Sequence, residues 1–218
     1  SKFYNFPSCE RLHDGTYFIS AREIDGLQDP YGRQVSVRYD AATGEVAPAL
    51  SPTCHDMADY PEKGIDMCHV TELAPGKLVA VYLMIDTDKS KPLFSPENDG
   101  VQNCTCRIVH SEDGGKTWEK PKTVEYTIPD IIIPSKIQKM PDGTVGFPIE
   151  VHNLYGEPYR EPIQARFIYS MDGGRIFDRA SMIPHPADFL AGDARCTFDT
   201  EGNMTIFFWG YDLAHMKD

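Results

Sequence analysis

Short apolar runs broken by glycine turns recur along this chain at a steady interval. The turns lie at Gly15, Gly76, Gly143 and Gly202, spaced by 61, 67 and 59 residues. Their sequences share a plan: Leu12-His13-Asp14-Gly15, Leu73-Ala74-Pro75-Gly76, Met140-Pro141-Asp142-Gly143 and Thr200-Glu201-Gly202. Each is followed by a run rich in β-branched and aromatic residues, such as 78–85 and 204–209, which predicts a strand. Each is preceded by another strand-like segment, and two of these begin alike, Phe6-Pro7-Ser8 and Ile133-Pro134-Ser135. A third run, 105–110 in one repeat and 164–169 in another, leads into a second kind of turn. The predicted unit is strand, turn, strand, long loop, strand, turn, strand.

The second turn is the most specific motif. Ser111-Glu112-Asp113-Gly114-Gly115-Lys116-Thr117-Trp118 reads S-x-D-x-G-x-T-W. A worn copy lies 59 residues on, Ser170-Met171-Asp172-Gly173-Gly174-Arg175-Ile176-Phe177. Paired glycines supply positive φ without steric cost, and the aspartate accepts hydrogen bonds from amides inside the turn. Ser111, Asp113, Gly115, Thr117, Trp118, Ser170, Asp172 and Gly174 are therefore expected to be structural. Trp118 opens a return strand and buries a large ring. With 17 Pro and 17 Gly, and no long apolar stripe at helical spacing, a helical bundle is excluded. Four antiparallel strands in units of this length predict an all-β fold, a β-propeller of four-stranded blades. Approximate blades are 1–50, 66–124, 130–182 and a partial 192–218, about three and a half in one region.

The Asp turn resembles the Asp box, or bacterial neuraminidase repeat, of the sialidase superfamily, and the segment from Phe6-Pro7-Ser8 to Ala21-Arg22 resembles the opening of a sialidase propeller. The resemblance implies six blades, so that this chain would be an N-terminal part, with roughly 150 residues more at this repeat length. It also implies a site. Sialidases open with an aromatic-Arg-Ile-Pro segment whose Arg clamps the substrate carboxylate. Here Tyr4-Asn5-Phe6-Pro7 puts Asn5 in that place, and an amide does not replace a bidentate guanidinium. Arg22 matches a second clamp arginine. The general acid of the family is an Asp a few residues beyond, which points to Asp25 in preference to Asp29. A substrate other than a sialic acid is therefore also expected.

Equivalent places in the repeats supply further candidates. Glu150 ends the third unit's second strand and is the expected partner carboxylate, with His152, Tyr155 and Tyr159 near it. Asp86, Arg195 and Tyr211 are expected to contact substrate. Long loops cluster opposite the turns, the usual place for a site on a rigid scaffold. The expected function is a sialidase-like glycoside hydrolase acting on a terminal sugar. The alternatives are a non-catalytic glycan- or protein-binding propeller and a propeller-type polysaccharide lyase using His152 and a Tyr.

Net charge of −12 argues against nucleic acid and anionic membranes as partners. A glycan remains the expected partner, held in a local basic pocket. No apolar run reaches the ~20 residues that span a bilayer. The six cysteines match no zinc pattern, and buried thiols are expected, with Cys9, Cys68 and Cys196 on innermost strands. Neither a metal nor a cofactor is called for. No leader is visible; the family resemblance favours export.

Overall fold

A computed structural model describes residues 2–26, 29, 31–98, 100–125, 131–158, 164–184 and 189–212, with the backbone alone at 131–133, 190, 211 and 212. They form two compact units, Ser1–Leu93 with Gln102–Val124, and Phe94–Val101 with Glu125–Asp218.

The first unit holds two four-stranded antiparallel sheets. One runs β1 (Phe3–Arg11), β2 (Thr16–Ile24), β3 (Arg33–Asp40), β4 (Val46–Pro48) in spatial order. A short helix α1 (Cys54–Asp59) then leads to β5 (Gly64–Ala74), β6 (Lys77–Ile85), β7 (Cys104–Ser111) and β8 (Lys122–Thr123). Alternation sets the packing: Phe18, Ser20, Arg22 and Ile24 are the buried residues of β2, while the residues between them are half-buried. Phe18 joins Leu12, Val70, Leu78, Ala80, Tyr82 and Trp118 in one apolar cluster. Trp118 meets Phe18 edge-on at 6.0 Å, and its Nε1–H donates to the Leu50 carbonyl at 3.0 Å. The ring of the Asp turn thus locks the second sheet onto the first.

Helix α1 lies between β4 and β5. It delivers Asp56, whose carboxylate accepts from Tyr82 Oη at 2.8 Å and from Arg107 Nε at 2.8 Å and Nη2 at 3.1 Å. Asp56 is buried, so these bonds replace the water it gives up. Burial works against the Arg107 charge, and Asp56 outweighs it and holds the guanidinium protonated.

The second unit holds β9 (Ile131–Pro134), β10 (Gln138–Lys139), β11 (Val145–His152), β12 (Gln164–Ser170) and β13 (Arg179–Met182) in one antiparallel sheet, where β9 and β10 both pair with β11. A two-stranded sheet follows, β14 (Phe189–Phe198) and β15 (Met204–Asp212). Ala165, Phe167 and Ile183 pack against Ala191, Ala194 and Cys196 between these sheets.

The turns use their residues as their chemistry requires. Gly15, Gly76, Gly143 and Gly202 all have φ between 72° and 87°. In the Asp turn, Asp113 Oδ1 accepts from the Thr117 N–H at 2.9 Å and Oδ2 from Thr117 Oγ1 at 2.7 Å. Those bonds hold the carboxyl down at about 2. Around Asp172, burial pushes upward, but bonds from Ser170, Ile176 and Arg175 outweigh it and leave the carboxyl lowered.

None of the six cysteines forms a disulfide. Burial pushes Cys68, Cys106 and Cys196 up to about 12, so they remain neutral thiols. Cys9 departs from the expectation of burial: it is exposed, on a face of β1 turned away from the core.

Candidate functional site

The first strands of three sheets share one irregularity. Among the described residues, Phe6, Met67 and Asp193 are the non-glycine residues with positive φ, at 46°, 48° and 54°. Each stands nine residues before a turn glycine (Gly15, Gly76, Gly202), and each sits in a bulge: Asn5 to Ser8, Asp66 to His69, Gly192 to Arg195. Left-handed backbone at a branched or bulky residue costs ~1–3 kcal/mol and persists where the surroundings dictate it, commonly beside functional sites. In the third sheet the same place is Pro134, whose ring fixes φ near −65°. There β9 ends; the Ser135 N–H still bonds the Pro148 carbonyl at 2.9 Å, and residue pairing resumes at Gln138. Opposite each bulge, seven residues after the turn glycine, stand Arg22, Leu83 and Trp209; in the third sheet the place is Glu150, paired with Ile133.

In the first unit, Asn5, Arg22 and Gln34 form one row across β1, β2 and β3. Arg22 is fully buried, and its Nε lies 3.6 Å from Asp66 Oδ1. Its Nη2 donates to the Asp29 carbonyl, and Gly32 packs against its stem so tightly that a Cβ there would lie 2.0 Å from Nε. Nε and Nη1 of Arg22, Oδ1 of Asn5 and both amide atoms of Gln34 are buried without a hydrogen-bond partner among the described residues. Buried polar atoms without partners are rare and mark places kept for something other than stability. Burial raises the Asp66 carboxyl, against the pull of Arg22 and the Met67 N–H. Asp25 stands apart: its side chain is 74% exposed and its carboxylate meets Lys2 Nζ at 3.1 Å. Asp86 is engaged by Lys63 Nζ at 2.5 Å and Asn103 Nδ2 at 2.6 Å.

In the second unit, the expected residues come together with one that sequence reasoning missed. Glu150 Oε2 lies 2.9 Å from His152 Nε2. Its Oε1 accepts the backbone N–H of Asp193, in the bulge of β14. The Asp193 carboxylate in turn lies 2.5 Å from Arg195 Nη2. His152 is buried, its ring centroid 6.0 Å from that of Phe94, and its Nδ1 has no partner among the described residues. Trp209 covers Gly192, where a Cβ would lie 2.8 Å from its ring, yet 47% of Trp209 stays exposed. Tyr155 is half-buried, with its N–H bonded to the Val101 carbonyl at 3.0 Å. The Tyr211 side chain and Tyr159 lie outside the described residues. Asp66 and Asp193 stand ten and nine residues before their turn glycines, so no single repeat position in the sequence signals them.

No family model and no curated protein matches the sequence. Solved structures do match its fold. A protein of unknown function from Dyadobacter fermentans covers 97% of the chain with TM-score 0.74 at 16% identity. The NanB sialidase of Streptococcus pneumoniae covers 94% with TM-score 0.64 at 9% identity. An alpha-L-arabinanase of Penicillium chrysogenum covers 92% with TM-score 0.56 at 14% identity. The chain spans 63%, 48% and 60% of those three proteins. Its fold is the sialidase-like β-propeller. Among the described residues there are three four-stranded blades and two strands of a fourth; in the third blade, β9 and β10 are two halves of one broken strand. Identity this low carries the fold and leaves the chemistry to the residues.

Proposed function

We propose that the protein is a glycoside hydrolase-like propeller acting on a terminal sugar of a glycan. The observation that carries this reading is the Glu150 carboxylate, held on one oxygen by His152 and on the other by the Asp193 N–H. Glycoside cleavage needs a group that gives a proton to the leaving oxygen and a second that attacks or activates water. A carboxylate fixed on both oxygens and coupled to an imidazole meets the second need, because its direction is set before substrate arrives. The exposed face of Trp209 offers an apolar platform for a sugar ring. Fold neighbours that are named sialidases and an arabinanase support a glycan as substrate class.

Within the second unit Glu150 is the proposed carboxyl and His152, Tyr155, Arg195 and Tyr211 are the proposed substrate contacts; within the first unit Asp25 is the proposed carboxyl and Arg22 and Asp86 are the proposed contacts. Asp25 as a proton donor requires that bound substrate cover it, since burial is what keeps a carboxyl protonated near neutrality. With Asn5 where sialidases carry a clamp arginine, a neutral sugar such as an arabinoside is proposed alongside sialosides.

The test is turnover of chromogenic glycosides, sialosides and arabinosides included. Glu150→Gln is expected to lower kcat by ~10²-fold or more with the fold intact by circular dichroism. Binding of a glycan without turnover supports the non-catalytic alternative, and unsaturated product absorbance supports a lyase. Absence of both binding and turnover on every glycan tried overturns the reading.

A further inference from the structure

Glu150 and His152 stand two apart on β11, and the bond between their side chains has a direction. A carboxylate only accepts hydrogen bonds. Glu150 accepts on both oxygens, from the Asp193 N–H on one and from His152 on the other. The proton of the 2.9 Å contact therefore sits on Nε2 of His152. In the neutral ring this leaves the lone pair on Nδ1. That atom is buried, and among the described residues nothing donates to it. A buried acceptor without a donor costs stability, so its retention needs a reason other than the fold.

The surroundings keep this nitrogen dry. His152 is the last residue of β11, and the chain just beyond it is tied to the segment Phe94–Val101 of the same unit. The Val101 N–H bonds the Asn153 carbonyl at 3.0 Å, and the Tyr155 N–H bonds the Val101 carbonyl at 3.0 Å. Asn98 Nδ2 donates to the Leu154 carbonyl at 3.1 Å. Gly100 packs so closely there that a Cβ would lie 2.5 Å from the same oxygen. This strap brings Phe94 to the imidazole, ring centroids 6.0 Å apart. Phe94 is half-buried while His152 is buried.

We infer that Nδ1 of His152 is the catalytic base of the second unit, and that Glu150 is the residue that positions it. The inference rests on the hydrolase reading and names the atom that takes the proton. Water attacks the anomeric carbon and gives a proton to the Nδ1 lone pair. The glycosidic C–O bond breaks with its electron pair on the leaving oxygen, which departs from a nitrophenyl glycoside as the phenolate. The imidazolium that forms faces the Glu150 carboxylate, which offsets its charge in a buried place. Phe94 is the cover that substrate moves aside, and until then it keeps the base from trading protons with bulk water.

Two substitutions separate this role from simple support of Glu150. His152→Gln puts an amide N–H where Nε2 stood, so Glu150 keeps a donor while Nδ1 is lost. It is expected to lower kcat on nitrophenyl glycosides by ~10²-fold or more, with circular dichroism unchanged. His152→Ala should lose as much and regain at least ~10-fold when free imidazole is added. The third measurement uses the unmutated protein: ¹⁵N chemical shifts of labelled histidine should show the His152 proton on Nε2 and none on Nδ1. Parent-like kcat in His152→Gln, with kcat lost in Glu150→Gln, overturns the inference and leaves the hydrolase reading standing. A proton on Nδ1, or no rescue by imidazole, overturns it likewise. No turnover of any glycoside by the parent overturns both.

Discussion

Gly32 lacks a side chain because Arg22 occupies the space one would need. A Cβ there would come within 2.0 Å of Nε, 2.7 Å of Cγ and 2.8 Å of Cδ, so the whole stem of a fully buried arginine would have to move. Gly32→Ala is therefore expected to cost ~1–3 kcal/mol by urea denaturation, the usual penalty of overpacking. Arg22→Ala should cost more, ~3–5 kcal/mol, because it strands the buried Asp66 carboxyl without its counter-charge. If the two variants prove equally stable to the parent, the packing of this row is not as described. The pairing explains why Arg22 could be singled out in the sequence while its partner could not. Arg22 follows a strand in a recognisable segment, whereas Asp66 lies 44 positions away and reaches it only through the packing of β2 on β5.

At the scale of the strand, the recurring bulge makes a prediction of its own. Asp193 has φ 54°, so its backbone is one that glycine adopts freely and a β-branched residue adopts badly. Asp193→Gly keeps the N–H that binds Glu150 and relieves strain; Asp193→Val keeps the N–H and worsens strain. The valine variant is expected to be less stable than the glycine variant by ~1–2 kcal/mol, measured by chemical unfolding. Equal stabilities would remove the case for strain in β14. The strands themselves were legible, because alternation and glycine turns are local: runs read as 78–85, 105–110 and 164–169 differ from β6, β7 and β12 by one residue at one or both ends. The bulges were not read, since nothing in Phe6, Met67 or Asp193 individually announces left-handed backbone. Nor was the Asp56 network, whose members come from α1, β6 and β7. The Glu150–His152 pair was legible because two residues two apart on a strand share a face. What seats Glu150, the N–H of Asp193, is 43 residues away and was not. The Asp turn is the complementary case, where a local motif reports a long-range contact: Trp118→Ala should cost ~3–5 kcal/mol, because its ring is buried against Phe18 on the neighbouring sheet.

For the molecule as a whole, the turn aspartates set the response to acid. Asp14, Asp88, Asp113, Asp142 and Asp199 are held low chiefly by hydrogen bonds from neighbouring turn residues, and Asp172 by such bonds overcoming its burial. Asp88 and Asp113 sit at about 2. An unfolded aspartate titrates near ~3.9, so between those values the unfolded chain binds more protons than the folded one. Stability contributed by these groups is present above ~4 and drains away as pH falls toward ~2. Asp66 has the opposite sign. Its carboxyl is raised by burial, so its contribution favours the folded chain at low pH and is lost as pH rises through its folded value. Six groups against one predict that acid destabilises. Urea midpoints measured from pH 7 down to pH 2 should fall mainly below ~4. The Asp88→Asn, Asp113→Asn double variant should be less stable than the parent at pH 7 and lose less on acidification, because its two strongest acid-sensitive turns no longer titrate. A double variant with the parent's full acid slope would mean that the turns are not where the sensitivity resides.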